Sequence, residues 1–424
     1  MGKTIAQLQH VVSRPSAEPN HNIATLKKEE VMSITLAVRS ASSSTLKVLA
    51  ACLMFLAFTQ LPAYADHIHH LWYNNSDWQD VDLTALTGAG IAYPEGAVAA
   101  FRTTPNNQLH VFYVAATNNH LNQLYYNGTS WVDEDLTSFT GGPTAESYTM
   151  SGFAIGNLQY VFYTGLDFHV HETYYNNSDW QDLDVTAAAG GTTSSGAELL
   201  AFTTTPNNEF HVFYQQDDTD DLHQLFFNGT SWVDNDLTSI TGGAYCYADW
   251  LAGFSVGNLQ HVFCAGYAPG YTDLSLLHIY YNNSTWKYEV IDTGGRPMEL
   301  GAGIAGFKVP KVNQLELYSI TDDTDFNRFY HVVKPSQWVL RDLSAEIGAP
   351  TDAQYGQIVA FVTTPNDQYH IYYAPTTEVY QLYYNGSYWS IDDLTGGAGN
   401  ADPNSGMAGF AIGNLQHVFY MSND

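Results

Sequence analysis

A tryptophan recurs along this chain at nearly constant spacing: Trp78, Trp131, Trp180, Trp232, Trp286, Trp338 and Trp389 stand 53, 49, 52, 54, 52 and 51 residues apart. Several follow near-copies of one turn: LYYNGTSW at 124–131, TYYNNSDW at 173–180, LFFNGTSW at 225–232 and LYYNGSYW at 382–389. A period near 50 built of short strands and turns points to a propeller, because one such repeat cannot bury its own apolar faces and must stack on its neighbours. The count also closes a ring. Thirty-five residues follow Trp389 and Trp78 is the thirteenth residue after Ala65, so the seam spans 48 residues and seven blades fit with no remainder.

Each repeat divides into four strands. In the second, AVAAFRT, QLHVFYV, LNQLYYN and WVDEDLT are short apolar or alternating runs, separated by TPNN, a variable loop and an Asn-Gly turn. Four antiparallel strands make one blade. After Ala65 the chain opens on HIHHLWYNNSDWQDVDLT, a third and fourth strand, and it ends on SGMAGFAIGNLQHVFY, a first and second. The expected fold is therefore an all-β, seven-bladed β-propeller over 66–424, closed by N- and C-terminal strands that share one blade. Asn-Gly between apolar runs reads as a type I′ hairpin, with Asn-Asn doing the same elsewhere. The Asn-x-Ser/Thr sequons are thus turns first and glycosylation acceptors second.

Residues 1–65 read as an N-terminal extension and secretory signal. Lys47 precedes the eleven-residue apolar run VLAACLMFLAF, and Ala63-Tyr64-Ala65 predicts cleavage before Asp66. Met32 gives the signal more usual proportions than Met1. The run is too short for a comfortable membrane span, so the chain is expected to be extracellular without membrane insertion. Downstream of it the chain holds 8 Lys and Arg against 40 Asp and Glu, which makes nucleic acid and anionic membrane poor partners. Cys246 and Cys264, 18 residues apart, are the remaining thiols and can pair in an oxidising compartment.

The repeats come in two kinds that alternate. TTPNN or TTPND precedes the Asn-Gly turns (Thr103–Asn107, Thr204–Asn208, Thr363–Asp367). Gly-Asn-Leu-Gln precedes the Asn-Asn turns (156–159, 257–260, 413–416). Alternation cannot close on seven, and the break falls in the repeat of Trp338, which belongs to neither kind and holds much of the scarce positive charge. A polar residue marks one register of every second strand: His110, Tyr160, His211, His261, Glu316, His370 and His417. The third strand answers with Gln123, Glu172, Gln224, His278, Arg328, Gln381 and His70. An antiparallel hairpin brings such residues roughly opposite each other, with Glu316 and Arg328 an ion pair. Planar donors and acceptors among Tyr, Phe and Trp suit sugar hydroxyls and C–H faces. The same pairs also fit buried polar groups that merely satisfy one another.

A second strand of polar-Val-Phe/Tyr-Tyr, a third of polar-Leu-aromatic-aromatic, then a short turn and Trp resembles the repeat of the fungal fucose-specific lectins, the Aleuria-type propellers. It is also similar to the seven-bladed bacterial lectins of the Photorhabdus type. The resemblance covers essentially all of 66–424. It implies glycan or glycoconjugate partners, no enzyme activity and no cofactor. In the fucose lectins an Arg on the second strand and a Glu on the third hold the sugar, with aromatics from a neighbouring blade. Here His stands in place of Arg and Gln mostly in place of Glu, and only Tyr160/Glu172 keeps the carboxylate. The implied ligand is fucose or another neutral sugar. The implied sites are His110/Gln123, Tyr160/Glu172, His211/Gln224, His261/His278, His370/Gln381 and His417/His70.

Competing readings rest on other features. An acidic ring with Tyr-rich loops, such as AYCYADW at 244–250, suits an extracellular protein-interaction scaffold. Polar features that recur at every blade argue against an active site, which is usually singular. Asp82, Asp135, Asp184, Asp236, Asp342 and Asp393 recur four residues after the Trp, often with a second Asp such as Asp80 or Asp182, and read as a solvated acidic rim that blunts the edge strand. No DxDxDG calcium loop occurs. Asp66-His67-Ile68-His69-His70 is the one local cluster of metal-ligand type.

Overall fold

The computed structural model describes residues 66–295, 298, 303–309, 311–321, 325–332, 337–350, 357–394, 401–402 and 405–422, without the side chains of 247–250. The chain divides into Met1–Ala63 and Tyr64–Asp424, and all described residues lie in the second unit. The expected signal segment and cleavage site therefore fall outside them, as do the side chains at the centre of the AYCYADW loop.

The described residues form seven four-stranded antiparallel sheets, the blades of a propeller. We number the blades by their Trp, from blade 1 (Trp78) to blade 7 (Trp389). Blade 2 shows the plan: β3 (Ala99–Arg102), β4 (Leu109–Val114), β5 (Leu121–Tyr126) and β6 (Trp131–Asp135) pair in sequence order. Blade 1 is composite. Its first two strands are β27 (Met407–Ile412) and β28 (Leu415–Ser422), and its outer two are β1 (His67–Tyr73) and β2 (Trp78–Asp82). Seven Cα pairs join β1 to β28, from His67↔Ser422 to Tyr73↔Gln416, so the chain's two ends share one sheet. The first strands of all seven blades line a central channel of about 260 Å³.

Second strands are buried on both faces because each blade is covered by two neighbours, so the runs read as continuously apolar: Val111, Phe112 and Tyr113 are all fully buried. Seven apolar clusters result, one at each blade interface. The periodic Trp is the interblade staple. Each packs edge-on against a second-strand aromatic of the preceding blade, for example Trp180 on Phe112 at 6.3 Å, Trp286 on Phe213 at 5.9 Å and Trp338 on Phe263 at 5.7 Å. In blade 5 the disulfide Cys246–Cys264 bridges the first two strands.

Two local expectations need correction. The turns before Trp are four-residue loops, not two-residue type I′ turns. Tyr126 pairs with Trp131, and the Asn127 Oδ1 accepts the N–H groups of Thr129 and Ser130 while Gly128 takes φ 94°. In the Asn-Asn loops the second Asn takes the left-handed conformation, with Asn177 at φ 74°. The first Asn of each sequon thus holds the loop by its side chain. Nor do the recurring Asp form only a solvated rim. Asp82, Asp135, Asp184, Asp236 and Asp342 each N-cap a five-residue helix: α1 (Leu83–Thr87), α2 (Leu136–Thr140), α3 (Val185–Ala189), α4 (Leu237–Thr241) and α5 (Leu343–Ile347). The helices tie down the blade edge: Thr84, Thr137, Thr186 and Thr238 accept backbone N–H groups of the third strand at 2.9 Å.

Candidate functional site

The sequence pairs do come together, on the diagonal. Gln123 stands opposite Phe112 and His110 opposite Tyr125, so the amide must reach across two positions. It does: Gln123 Nε2 donates to His110 Nδ1 at 2.7 Å. A proton on Nε2 then faces Thr103 Oγ1 at 3.3 Å, which is the first Thr of the TTPN turn. Blades 4 and 7 repeat the arrangement with Gln224 to His211 at 3.0 Å and Gln381 to His370 at 2.8 Å. Burial pushes His110 down to about 4 and His211 and His370 to about 3, so all three are neutral at pH 7.

The second hydrogen of each amide crosses to the next blade. Gln123 donates to Gln159 Oε1 at 2.9 Å, Gln224 to Gln260 at 2.7 Å and Gln381 to Gln416 at 2.7 Å. The acceptors are the Gln of the Gly-Asn-Leu-Gln turns. The alternation of repeat types therefore builds one kind of seam three times, between blades 2 and 3, 4 and 5, and 7 and 1.

Two of these seams open as clefts, of about 510 Å³ at 2/3 and about 750 Å³ at 4/5. Equivalent residues line both: His110 and His211, Gln123 and Gln224, Gln159 and Gln260, Trp180 and Trp286. Rings stack on the histidines, Tyr125 at 6.0 Å and Phe226 at 5.1 Å from the ring centres. The outer lip is an exposed apolar side chain of the one-turn helix, Phe139 or Ile240. Glu134 or Asn235 from the fourth strand also lines the cleft. Burial raises the Glu134 carboxyl while hydrogen bonds from Tyr125 and Trp180 hold it back. At 7/1 the seam differs, because the Tyr372 hydroxyl, absent from Phe112 and Phe213, donates to Gln416 Oε1 and accepts from Gln381 at 2.7 Å.

The remaining predicted residues occupy the other seams. At 5/6, His261 and His278 bond to each other at 2.9 Å, and His278 and the Trp338 indole both reach Glu289 at 2.8 Å. At 1/2, His70 and His417 meet at 3.0 Å. At 6/7, Arg328 and Glu316 form a two-pronged pair at 2.6 and 2.7 Å. At 3/4, Tyr160 and Glu172 make no hydrogen bond to each other.

Sequence reasoning missed the bridging glutamines, the Trp walls, Glu134 and Asn235, and the helix lips. The first had a signal, since Gly-Asn-Leu-Gln recurs as faithfully as the histidines. The residues of the Asp66–His70 cluster diverge to separate partners: His67 bonds Asp82 at 2.7 Å, His69 bonds Asp80 at 2.9 Å, and His70 turns to His417. Asp167, His171 and Asp184 lie close enough to share an ion. His171, however, already spends both nitrogens on Asp182 and Asp167, and Asp184 is engaged by His169.

The open clefts therefore offer neutral amides and imidazoles at fixed positions, an indole wall, an apolar lip and acidic side chains, Glu134 and Asp179 at 2/3 and Glu209 at 4/5. Such a surface binds by hydrogen bonds and C–H contacts. No family model and no curated relative matches the chain. Solved structures with a similar fold include the BP39L lectin of Burkholderia pseudomallei, with 17% identity, a TM-score of 0.54, and coverage of 75% of this chain and 89% of that one. AofleA of Arthrobotrys oligospora shares 12% identity at a TM-score of 0.50, over 83% and 92% of the two chains. A lectin of Aleuria aurantia in complex with Fucα1-6GlcNAc aligns at 14% identity and a TM-score of 0.47, over 70% and 94%.

Proposed function

We propose that this seven-bladed propeller is a secreted lectin that binds a neutral sugar, fucose-like or other, at similar weak sites in the open clefts of the 2/3 and 4/5 seams. The observation that carries the reading is the repeated cleft itself. The same His–Gln–Gln chain, uncharged at neutral pH, lies beside the same indole in a groove sized for one or two sugar rings. A purely structural hydrogen-bond chain has no need of an adjoining cavity of about 510 or 750 Å³. The lectin among the similar folds supports this reading at the level of architecture.

A glycan array with the purified protein at pH 7.4 tests it, alongside Phe139→Ala and Ile240→Ala, which trim exposed lips and spare the core. Saturable binding to one sugar family, weakened in both variants, is expected. A blank array would move the assignment to an extracellular scaffold that grips a protein partner.

A further inference from the structure

The two open clefts share their His–Gln–Gln chain but differ in what faces it. In blade 4 the third-strand Gln224 stands opposite Asn235 of the fourth strand, and the Asn235 amide donates to Gln224 Oε1 at 3.2 Å. All polar atoms of that glutamine are thereby engaged, since its own amide serves His211 and Gln260. Blade 2 places Gln123 opposite Glu134 at the same register. An ionised carboxyl has no hydrogen to give. Gln123 is 1% exposed and spends its amide on His110 and Gln159, and no donor among the described residues reaches its Oε1. Two acceptors thus occupy paired positions in the wall of a cleft of about 510 Å³, and the donor that bridges their counterparts at 4/5 is missing.

The rest of the 2/3 cleft suits a positive charge. A second carboxyl, Asp179, enters from the blade 3 turn, where blade 5 has Thr285 before its Trp. Tyr125, Phe139, Tyr175 and Trp180 line the same space, and aromatic faces attract cations. Glu134 is partly exposed, and the Tyr125 hydroxyl and Trp180 indole beside it offset the upward push of burial. The Glu172 carboxyl, shut between blades 3 and 4, lacks that relief, and burial with Asp182 pushes it up to about 8. A carboxylate is therefore on offer at neutral pH in the 2/3 cleft and not at 3/4. At 4/5 the lining carboxyl is Glu209, which already accepts from the Thr204 hydroxyl at 3.4 Å.

We propose that the 2/3 cleft is selective for an amino sugar with a free, protonated amine, whose ammonium bridges Gln123 Oε1 and the Glu134 carboxylate while the ring's C–H face meets the Trp180 wall. The 4/5 cleft, where Asn235 already satisfies Gln224, has no such preference. A neutral sugar fits either cleft, so the inference rests on the reading of these seams as sugar sites and sharpens it at one of them.

The test is a calorimetric titration at pH 7 and physiological salt, which screens diffuse attraction to the acidic chain. The probes are the methyl glycosides of glucosamine and galactosamine, each beside its N-acetyl and its hydroxyl counterpart. One site per chain should favour the amine over both counterparts by about tenfold or more. Glu134→Gln, at a partly exposed position, should erase that preference and leave binding of the neutral glycosides in place. Asn235→Glu should give the 4/5 cleft the same preference; if Glu134→Gln melts lower than the parent, this variant decides, and a count of amine-selective sites that stays at one overturns the inference. Equal affinity of the parent for the amine and its counterparts also overturns it, as does a preference that survives Glu134→Gln, and both results leave the neutral-sugar reading standing. An amine site that depends on Glu134, with no binding of the neutral glycosides at either cleft, upholds the cation preference and removes that reading instead. No binding of any probe removes both.

Discussion

At the scale of single residues, the site depends on imidazoles that stay neutral. His261 is held at about 3 and His417 at about 4, in each case first by burial, as are His110, His211 and His370. In the unfolded chain each takes its proton near pH 6.5. Between roughly pH 6.5 and 3 the unfolded state therefore binds more protons than the fold does, and stability falls as pH drops through that window. Opposing this are His171 and His223, which burial lowers but Asp182 and Asp234 raise past it, and the Glu172 and Asp66 carboxyls, which burial pushes up to about 8 and about 6. Thermal melts should show the melting temperature falling from about pH 6.5 towards pH 4; a flat profile there would mean that these rings are not buried neutral. A second expectation concerns Tyr372, whose hydroxyl uses up the Gln416 acceptor at 7/1. Tyr372→Phe restores the residue type found in blades 2 and 4, and the number of sugar sites measured by calorimetry should rise by one. The His/Gln pairs were legible because repetition marks them. Their bridge to the next blade was not, since Gln159 lies 36 residues from Gln123 and nothing local ties the two.

At the scale of elements, the sequence reading found the strands and overlooked the helices. A blade's four strands announce themselves through apolar runs and turn residues, and the two-sided burial of the second strand explains why its pattern does not alternate. A five-residue helix has no periodicity to detect. It is visible only through its ends, here Asp before the first turn and a left-handed Gly after the last, such as Asp135 and Gly141 at φ 69°. The same blindness hid the functional consequence, because Phe139 and Ile240 reach the cleft lip from these helices. Asp135 also bonds His120 at 2.8 Å, so the cap couples the helix to the loop before the third strand. Asp135→Ala should cost about 1 kcal/mol in chemical denaturation. It should also weaken sugar binding at 2/3 while leaving 4/5 untouched. An unchanged 2/3 affinity would show that Phe139 does not need the helix to find its place.

At the scale of the whole molecule, ring closure turns a repeat into an array. The seven-fold count was legible because the Trp spacing and the split blade agree, and β1 on β28 realises that closure. What the period could not reveal is that the seams are unequal. Two repeat types and one divergent blade give three seams of one kind, of which two hold an open cleft, while the Arg328–Glu316 pair fills another from within. Under the proposed reading valency is therefore lower than the blade count, and this has a measurable consequence. If each cleft binds a sugar weakly, a ligand displaying two sugars gains an effective local concentration at the second cleft, worth about 10²-fold or more over one site. Phe139→Ala removes one cleft's lip and should at most halve the capacity for a monovalent sugar in calorimetry. On a densely displayed surface the same substitution should drop the apparent affinity by about 10²-fold, because it returns the protein to single-site binding. Parallel losses in the two formats would mean that the clefts do not act together, and that tight binding, where found, comes from one seam alone.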